Sequence, residues 1–451
     1  MARVSLRAVL ASVPRVPAGL RLPRPPVGPD PLRRVKVPRD LATVTSVGEE
    51  DDPRAGGMDR DGVERIWRGV EGLYRSGVHP AIQLCLRREG RVVLDRAIGH
   101  ARPNVPVTTG TPFLIYSASK AVTAMVAHLL DQRGDIHFGD RVAEYIPEYG
   151  SHGKHRITVG HILSHRAGVP NLPPGALDLD LIDDSDTILR LLCDARPSSR
   201  PGKLLSYHAI SGGYVIAELV RRVTGRSIRE VLAQEILAPL GFRWTNYGVA
   251  PQDVAAVGRA EVTGAPVLPP LSTLLTRALG KPVDQITRES NDPRFVTGII
   301  PSANIVSTAN EMSRFYELLR CGGELDGVRI FEPRTIRRAT TEQSWLEIDL
   351  TLGFPTRYSL GFMLGARVLS LWGPDTEQAF GHLGFTNVLT WADPQRALAG
   401  GLITSGKPVL YPELPDLWTL MRRIGIEAPK VERRAALSAV APSSSSAAGG
   451  R

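Results

Sequence analysis

Nowhere in the 451 residues do eighteen apolar side chains run unbroken, so no stretch has the length and polarity of a membrane-crossing helix. Cysteine is scarce: Cys85, Cys193 and Cys321 are odd in number and widely spaced, which argues against a disulfide framework and a zinc ribbon and fits a reducing compartment. No G-x-S-x-G pentapeptide occurs, so the nucleophile elbow of an α/β-hydrolase is missing, and no H-E-x-x-H occurs either. The apolar start RAVLASVP is cut short by Pro14 and Arg15 and lacks a secretory h-region. A cytoplasmic protein is expected, with peripheral envelope association or export left open. Lysine is also rare, at seven residues against 48 arginines, which makes each lysine worth inspecting. The net charge of +9 comes largely from the first forty residues, where Arg recurs among Pro and Val; the rest has no basic stripe interleaved with aromatics, so no nucleic-acid partner is expected.

What is present is a long segment of ordinary globular composition between two biased ends. Residues 1–57, rich in Pro, Arg, Gly and Asp, read as a flexible basic extension, and residues 431–451 as a disordered Ala/Ser-rich tail. Residues 58–430 then form the folded body. Val63, Ile66, Trp67, Val70 and Leu73 recur at helical spacing after a capping Asp59 or Asp61. The runs AIQLCLRR and RVVLDRAIG flank Glu89-Gly90 as a hairpin requires. RYSLGFMLG, AFGHLGFT, NVLTWAD and ALAGGLITS are further short strands, and Leu414 to Ile424 is a last amphipathic helix. Strands at both ends with helices between them predict an α+β fold, an α/β sandwich in which helices flank an antiparallel sheet and a helical lobe is inserted. No internal repeat is visible.

The segment carrying chemistry is TPFLIYSASKAVTAMVAHLLDQRG. Ala118, Val122, Met125, Val126, Leu129 and Leu130 make an apolar stripe ending near Gly134, and the small Ala121, Ala124 and Ala127 share the other side with Ser117 and Lys120. A helix so lined is buried. An exposed lysine, with its pKa near 10.4, is neutral in roughly one molecule in 2,000 at pH 7. Burial lowers that pKa, and the neutral amine can then take the proton of a serine three residues away. Arginine cannot serve, since it never deprotonates. S-x-x-K recurs at Ser151–Lys154, where flanking glycines and absent periodicity mark a loop coincidence.

SASK does not stand alone. ITVGHILSHRAGVP from Ile157, SYHAISGGYVIAELVRRVTG from Ser206 and GHLG at Gly381–Gly384 follow in order, with GIIPSANIVSTANEMSRFYELLRCGGELDG from Gly298 as a further stretch, and together they resemble the serine β-lactamase-like family of class C β-lactamases, DD-peptidases and related esterases. The resemblance covers roughly residues 60–425. It implies a β-lactamase/transpeptidase-like fold with Ser117 as nucleophile, Lys120 as base and Tyr207 as proton shuttle, the last a phenol of lowered pKa beside a cationic lysine. It also implies an oxyanion hole from the backbone N–H groups of Ser117 and Phe385, and a substrate-binding wall from His382 and Gly384. No metal and no organic cofactor is implied.

Two departures from the family pattern give direction. Ala209 replaces the Asn of Y-x-N, and His382 replaces the Lys of K-T-G, so an amide and a fixed cation that suit β-lactams or D-Ala peptides are gone. Hydrolysis of a small-molecule or lipid carboxylic ester, as by a carboxylesterase or lipase, follows. β-Lactamase or D-Ala peptidase action, acyl transfer to a non-water acceptor, and a catalytically silent scaffold remain alternatives, and nothing speaks to oligomeric state. A metal site is a further rival, since His161 and His165 are four apart on an expected helix with His152 and His155 nearby. Gly264–Asp292 is either a lid or acyl-pocket wall, or a plain surface excursion.

Overall fold

The two apolar runs around Glu89-Gly90 do pair. Both turn residues adopt positive φ, 49° and 81°, the combination that matches the right-handed twist of the strands it joins. The computed structural model describes residues 30–172, 178–182, 184–409 and 413–431. Its main sheet is built from β1 (Thr45–Val47), β2 (Ala81–Arg88), β3 (Arg91–Arg102), β4 (Met363–Leu364), β5 (Phe380–Gly384), β6 (Val388–Asp393) and β7 (Leu398–Thr404). The order is β1-β3-β2-β7-β6-β5-β4, antiparallel throughout, with Val105–Pro106 added beside β3 as an eighth strand. Strands from the two ends of the body thus meet at β2 and β7, and the chain between Val105–Pro106 and β4 is carried off this sheet.

Period-two alternation buries both faces. Ile82, Leu84 and Leu86 of β2 join one core cluster, and Ala81 and Cys85 the other. On the first face lie α1 (Arg60–Arg75) and α8 (Leu414–Glu427), bringing Ile66, Trp67, Leu420 and Ile424. Asp59 sits at the N-cap of α1 without a side-chain cap bond. The second face is covered by the inserted lobe: α2 (Ser119–Arg133), α3 (Ser185–Asp194), α4 (Ser211–Thr224), α5 (Leu271–Leu279), α6 (Val283–Glu289) and α7 (Ala309–Arg320), with α2 and α7 innermost. This is the expected α+β sandwich. Among the described residues no helix is long and apolar enough to cross a membrane.

The N-terminal reading requires correction. Residues 1–29 lie outside the described residues, but residues 30–57, expected within a flexible extension, are packed on the body. β1 pairs with β3, Thr45 opposite Ile98. Glu50 and Asp51 accept the N–H groups of Asp95 and Val92, at 2.9 and 2.8 Å. Leu41 is buried. The Asp, Glu and Gly content that resembled a linker serves instead to satisfy the edge of β3. Residues 432–451 also lie outside the described set; Val431 is the last inside it, its N–H bonded to the Gln395 carbonyl at 2.8 Å.

Cutting the chain at residue 58 therefore strips an edge strand and the buried Leu41, at a cost of roughly 2 kcal/mol or more. A chain beginning at residue 58 should melt several degrees below one beginning at residue 30 in a thermal denaturation monitored by circular dichroism. Equal melting temperatures would contradict the packing described.

Candidate active site

The S-x-x-K segment is shaped by its approach. Phe113–Leu114 pairs with Ile305–Ser307, and the Ile115 N–H continues that ladder to the Ile305 carbonyl at 2.9 Å. Tyr116 then turns with φ of 50°, a region costly for a bulky residue, and Tyr116–Ala118 form one 3₁₀ turn before α2 begins at Ser119. Ser117 is thus not inside the α-helix, as its sequence periodicity suggested, but on the turn that delivers the chain into it. The Ser119 hydroxyl accepts the Ile305 N–H at 3.1 Å and ties the helix start to the strand.

Ser117 Oγ and Lys120 Nζ stand 3.2 Å apart, and Nζ donates to the Ser302 carbonyl at 3.0 Å. From Ser119 to Leu130 every side chain of α2 is buried. Gly213 of α4 permits Ser302 to approach, since a Cβ at that glycine would run into Ser302 backbone and side chain. With no carboxylate in hydrogen-bond contact, desolvation pulls the Lys120 amine down to about 7. The Tyr207 ring lies 4.9 Å from Nζ, and the Ser117 side chain counters part of the effect of burial on the Tyr207 phenol. Contrary to the expectation of a lowered phenol beside a cation, burial pushes Tyr207 well above its ordinary range, because a neutral amine offers a phenolate no compensating charge. The Tyr207 backbone is fixed by its N–H on Asp349 Oδ1 at 3.0 Å, and its ring packs against His165 at 4.8 Å.

His382 lies on β5, buried, its ring 6.3 Å from that of Tyr207 and its Nδ1–H donated to the Leu383 carbonyl at 2.8 Å. Burial and the nearby lysine hold it down to about 3, so it is neutral and brings no fixed cation. It is not among the residues that line the cavity beside Ser117. Gly384 brings β5 against the turn before Ser117, where a Cβ would collide with the Ile115 carbonyl. Phe385 follows, its ring centre 5.4 Å from that of Tyr116 and tilted 47° to it.

Ser117, Tyr116, Phe385 and Ala209 open onto a cavity of about 100 Å³ whose other walls include Ile182, Ile210, Tyr214, Leu279, Ile286 and Phe295. Outside it lies a polar vestibule of about 740 Å³ reaching Asn171, Asp180, Arg277, Gln285 and Arg294. A separate apolar chamber of about 160 Å³, with Ile188, Leu189, Leu192 and Ile299, shares only Ile182 and Tyr214 with the first. Gly264–Asp292 is therefore pocket wall: α5 and α6 contribute Leu279 and Ile286, and Lys281 pairs with Glu289 at 2.7 Å on the rim.

Three residues escaped the sequence reading. Lys407, buried and lowered to about 7 by desolvation, donates to the Thr404 carbonyl at 2.7 Å and places Nζ 4.7 Å from the Tyr116 ring centre. The rarity of lysine was the available signal: Lys120, Lys154 and Lys407 are all buried. Asp349 and Tyr214 gave none. Lys154 donates to the Cys193 and Ala195 carbonyls at 2.7 and 2.6 Å, a structural use that fits its reading as a coincidental match. The helix holding His161 ends at Leu163, so His165, with φ of 60°, does not share it. His161 Nδ1 accepts the Thr158 N–H, His165 Nδ1 accepts the His208 N–H, and no group of three or more metal-ligating side chains converges among the described residues.

A family model described as Beta-lactamase matches residues 66–420. The chain is 30% identical over 318 residues to "Esterase/beta-lactamase LipL" of Mycobacterium tuberculosis, covering 66% of this chain and 70% of that protein. Among solved structures it is similar to a novel penicillin-binding protein homolog from Caulobacter crescentus (TM-score 0.71, 26% identity, 81% of this chain and 98% of that one). It is equally similar to a family VIII carboxylesterase (TM-score 0.70, 26% identity, 80% and 97%).

A lysine held neutral lowers stability. Between its ordinary pKa of 10.5 and about 7, the unfolded chain binds a proton that the folded chain refuses, so the cost grows as pH falls across that window and is absent above it. Lys120→Met should raise the free energy of unfolding at pH 7 by an amount on the order of a few kcal/mol, less the lost bond to Ser302, and give no such gain at pH 11. Urea titrations at the two pH values measure the difference.

Proposed function

The chain belongs to the Beta-lactamase family and is a serine hydrolase of that fold, and we propose that it cleaves carboxylic esters through an acyl-enzyme on Ser117. The observation that carries this reading is the buried amine, lowered to about 7, at 3.2 Å from a serine hydroxyl on the wall of an apolar cavity. Neutral Lys120 takes the Ser117 proton as Oγ attacks the ester carbonyl. The Ser117 and Phe385 backbone N–H groups receive the developing oxyanion. The alkoxide leaves with a proton returned through Lys120 and Tyr207, whose phenol keeps its proton at neutral pH and so is available to donate it. Water then attacks the acyl-enzyme along the same path in reverse. Since Lys120 and Tyr207 together return each proton they take, no metal or organic cofactor enters.

Esters are favoured over β-lactams and D-Ala peptides by two groups at and near the site. Ala209 offers no amide to an acylamino substituent, and neutral, buried His382 offers no charge to a carboxylate. One relative's printed name joins esterase and β-lactamase, so a β-lactam chromophore belongs in the same assay as the esters.

Ser117→Ala should abolish turnover of p-nitrophenyl butyrate and labelling by a fluorophosphonate, with the melting temperature retained. In the native protein kcat/KM should rise about tenfold per pH unit up to about pH 7 and then level, leaving about 1% of the plateau at pH 5, because only the unprotonated amine is a base. Labelling of the Ser117→Ala variant, or a flat profile from pH 5 to 8, would refute the assignment.

Acyl length should be set by Tyr214, which with Ile182 separates the 100 Å³ cavity from the 160 Å³ chamber behind. Tyr214→Ala joins the two. Each methylene then buried adds about 0.8 kcal/mol, so the octanoate-to-butyrate ratio of kcat/KM should climb at least about tenfold. An unchanged ratio in a chain-length series would place the acyl group elsewhere.

A further inference from the structure

A folded chain with a large buried core has no need to expose tryptophan, yet Trp345 is 82% exposed. It does not stand alone. Leu346, Ile348, Leu350 and Phe354, between 43% and 61% exposed, share with it the short hairpin whose strands are Glu347–Ile348 and Pro355–Thr356. Five large apolar side chains within ten residues form a concentrated patch of the kind that marks a contact surface.

The hairpin is held firmly at its base. Asp349 Oδ1 accepts the N–H groups of Tyr207, Thr351 and Leu352 at 2.8–3.0 Å. Leu350 N–H bonds the Leu205 carbonyl at 3.1 Å, and the Ser206 and Thr351 hydroxyls meet at 2.8 Å. Exposure is thus the arrangement of a fixed element: Leu352 turns into the core while its neighbour Leu350 points out.

Charge identifies the occupant. Both hairpin carboxylates are engaged, Glu347 by Arg166 and Asp349 by three backbone N–H groups. Beside Leu205, in the loop that Leu350 bonds, Arg200 and Lys203 are exposed and join no ion pair among the described residues, and Leu204, next to Lys203 in the chain, is exposed too. A protruding tip of Trp, Leu, Ile and Phe with free cations at its base, and no free anion, matches an anionic bilayer surface: the apolar side chains enter the acyl boundary and the cations face the headgroups. A protein groove would need no cations there.

We propose that the hairpin from Trp345 to Phe354, with Arg200 and Lys203, docks this enzyme on the surface of an anionic lipid bilayer. The docking does not rest on the choice of ester, so its failure would leave the hydrolase assignment standing. The anchor bears on the site through the chain it grips, because Asp349 holds the backbone of Tyr207 two residues before the pocket residue Ala209.

The test is co-sedimentation of the full chain with phosphatidylglycerol and with phosphatidylcholine vesicles at low salt. Native protein should pellet with the anionic vesicles and be released by 0.5 M salt, in keeping with about 8–10 Å screening lengths shrinking toward about 3 Å. Trp345→Ser with Ile348→Ser and Leu350→Ser should weaken binding at least about tenfold, and Arg200→Glu with Lys203→Glu should erase the preference for anionic lipid. Both variants should keep native melting temperatures and native turnover of a soluble short-chain ester. The proposal falls if native protein stays in the supernatant with both vesicles or if the triple variant binds phosphatidylglycerol as tightly. It falls too if sedimentation velocity shows a native oligomer that the triple variant loses, which would make the patch a protein interface.

Discussion

An ammonium ion is among the costliest groups to remove from water, and the site is organised around removing one without giving it a carboxylate. Lys120 meets only a carbonyl, a serine hydroxyl and the face of a phenol. The amine therefore loses its proton rather than its solvent-free position. Features that look unrelated serve that exclusion of water and of anions. Small residues let neighbouring elements close in, with Gly361 against Ala124 of α2 and Gly213 of α4 against Ser302. The surrounding imidazoles of His165, His208 and His382 are all pushed below their ordinary values, so none supplies a competing charge. Tyr207 rises for the same reason that Lys120 falls. One desolvated enclosure yields a base without its proton and an acid that keeps it, a pairing that two adjacent groups in water would not adopt.

The second constraint is the strained turn. Tyr116 carries positive φ, which costs free energy that must be offset by contacts holding it there. Its hydroxyl bonds Ser290 at 2.9 Å, its ring lies between Phe385 and the Lys407 amine, and Gly384 admits the chain from the other side. Lys407 sits after the last strand of the sheet, Phe385 after β5, and Ser290 just past α6. Three distant stretches thus converge on the residue that aims Ser117, and the sheet, rather than α2 alone, determines where the hydroxyl points.

How much of this was legible follows from the range over which each signal acts. The Glu89-Gly90 hairpin, α1 and α8 obey local periodicity and turn chemistry, and they form where patterning placed them. Family membership was legible because four motifs keep their order along the chain. Ser117, Lys120 and Tyr207 come together as the motifs implied, but Ser117 proved to be on a 3₁₀ turn, since hydrophobic spacing does not register the φ of Tyr116. The protonation of Tyr207 was misread because its pKa depends on whether Lys120 is charged, and that depends on burial from every side. Asp349 and Lys407 act across more than a hundred residues of separation, and Tyr214 on residues outside its own helix, where a single sequence carries no pairing information.

The misreading of residues 30–57 has the same origin and a functional consequence. Composition alone cannot distinguish a solvated Asp/Gly/Arg segment from one whose polar groups are all used on a neighbouring edge. Here several of them are so used, and not only on β3. The Leu32 carbonyl accepts the Gly264 N–H at 2.8 Å, and Arg33 pairs with Asp284 of α6 at 2.7 Å. These are the elements that supply Leu279 and Ile286 to the cavity wall. The lobe segment from Gly264 to Asp292 packs few buried side chains of its own, Val283 and Thr287 among them, so its position depends on such polar ties. The chemistry is thus set by the deeply buried α2 and β5, whereas the shape offered to the substrate is set by a thinner wall clasped from the N-terminal side. On the proposed reading, sequence change in that wall or its clasp can alter which ester fits without disturbing the amine beside Ser117.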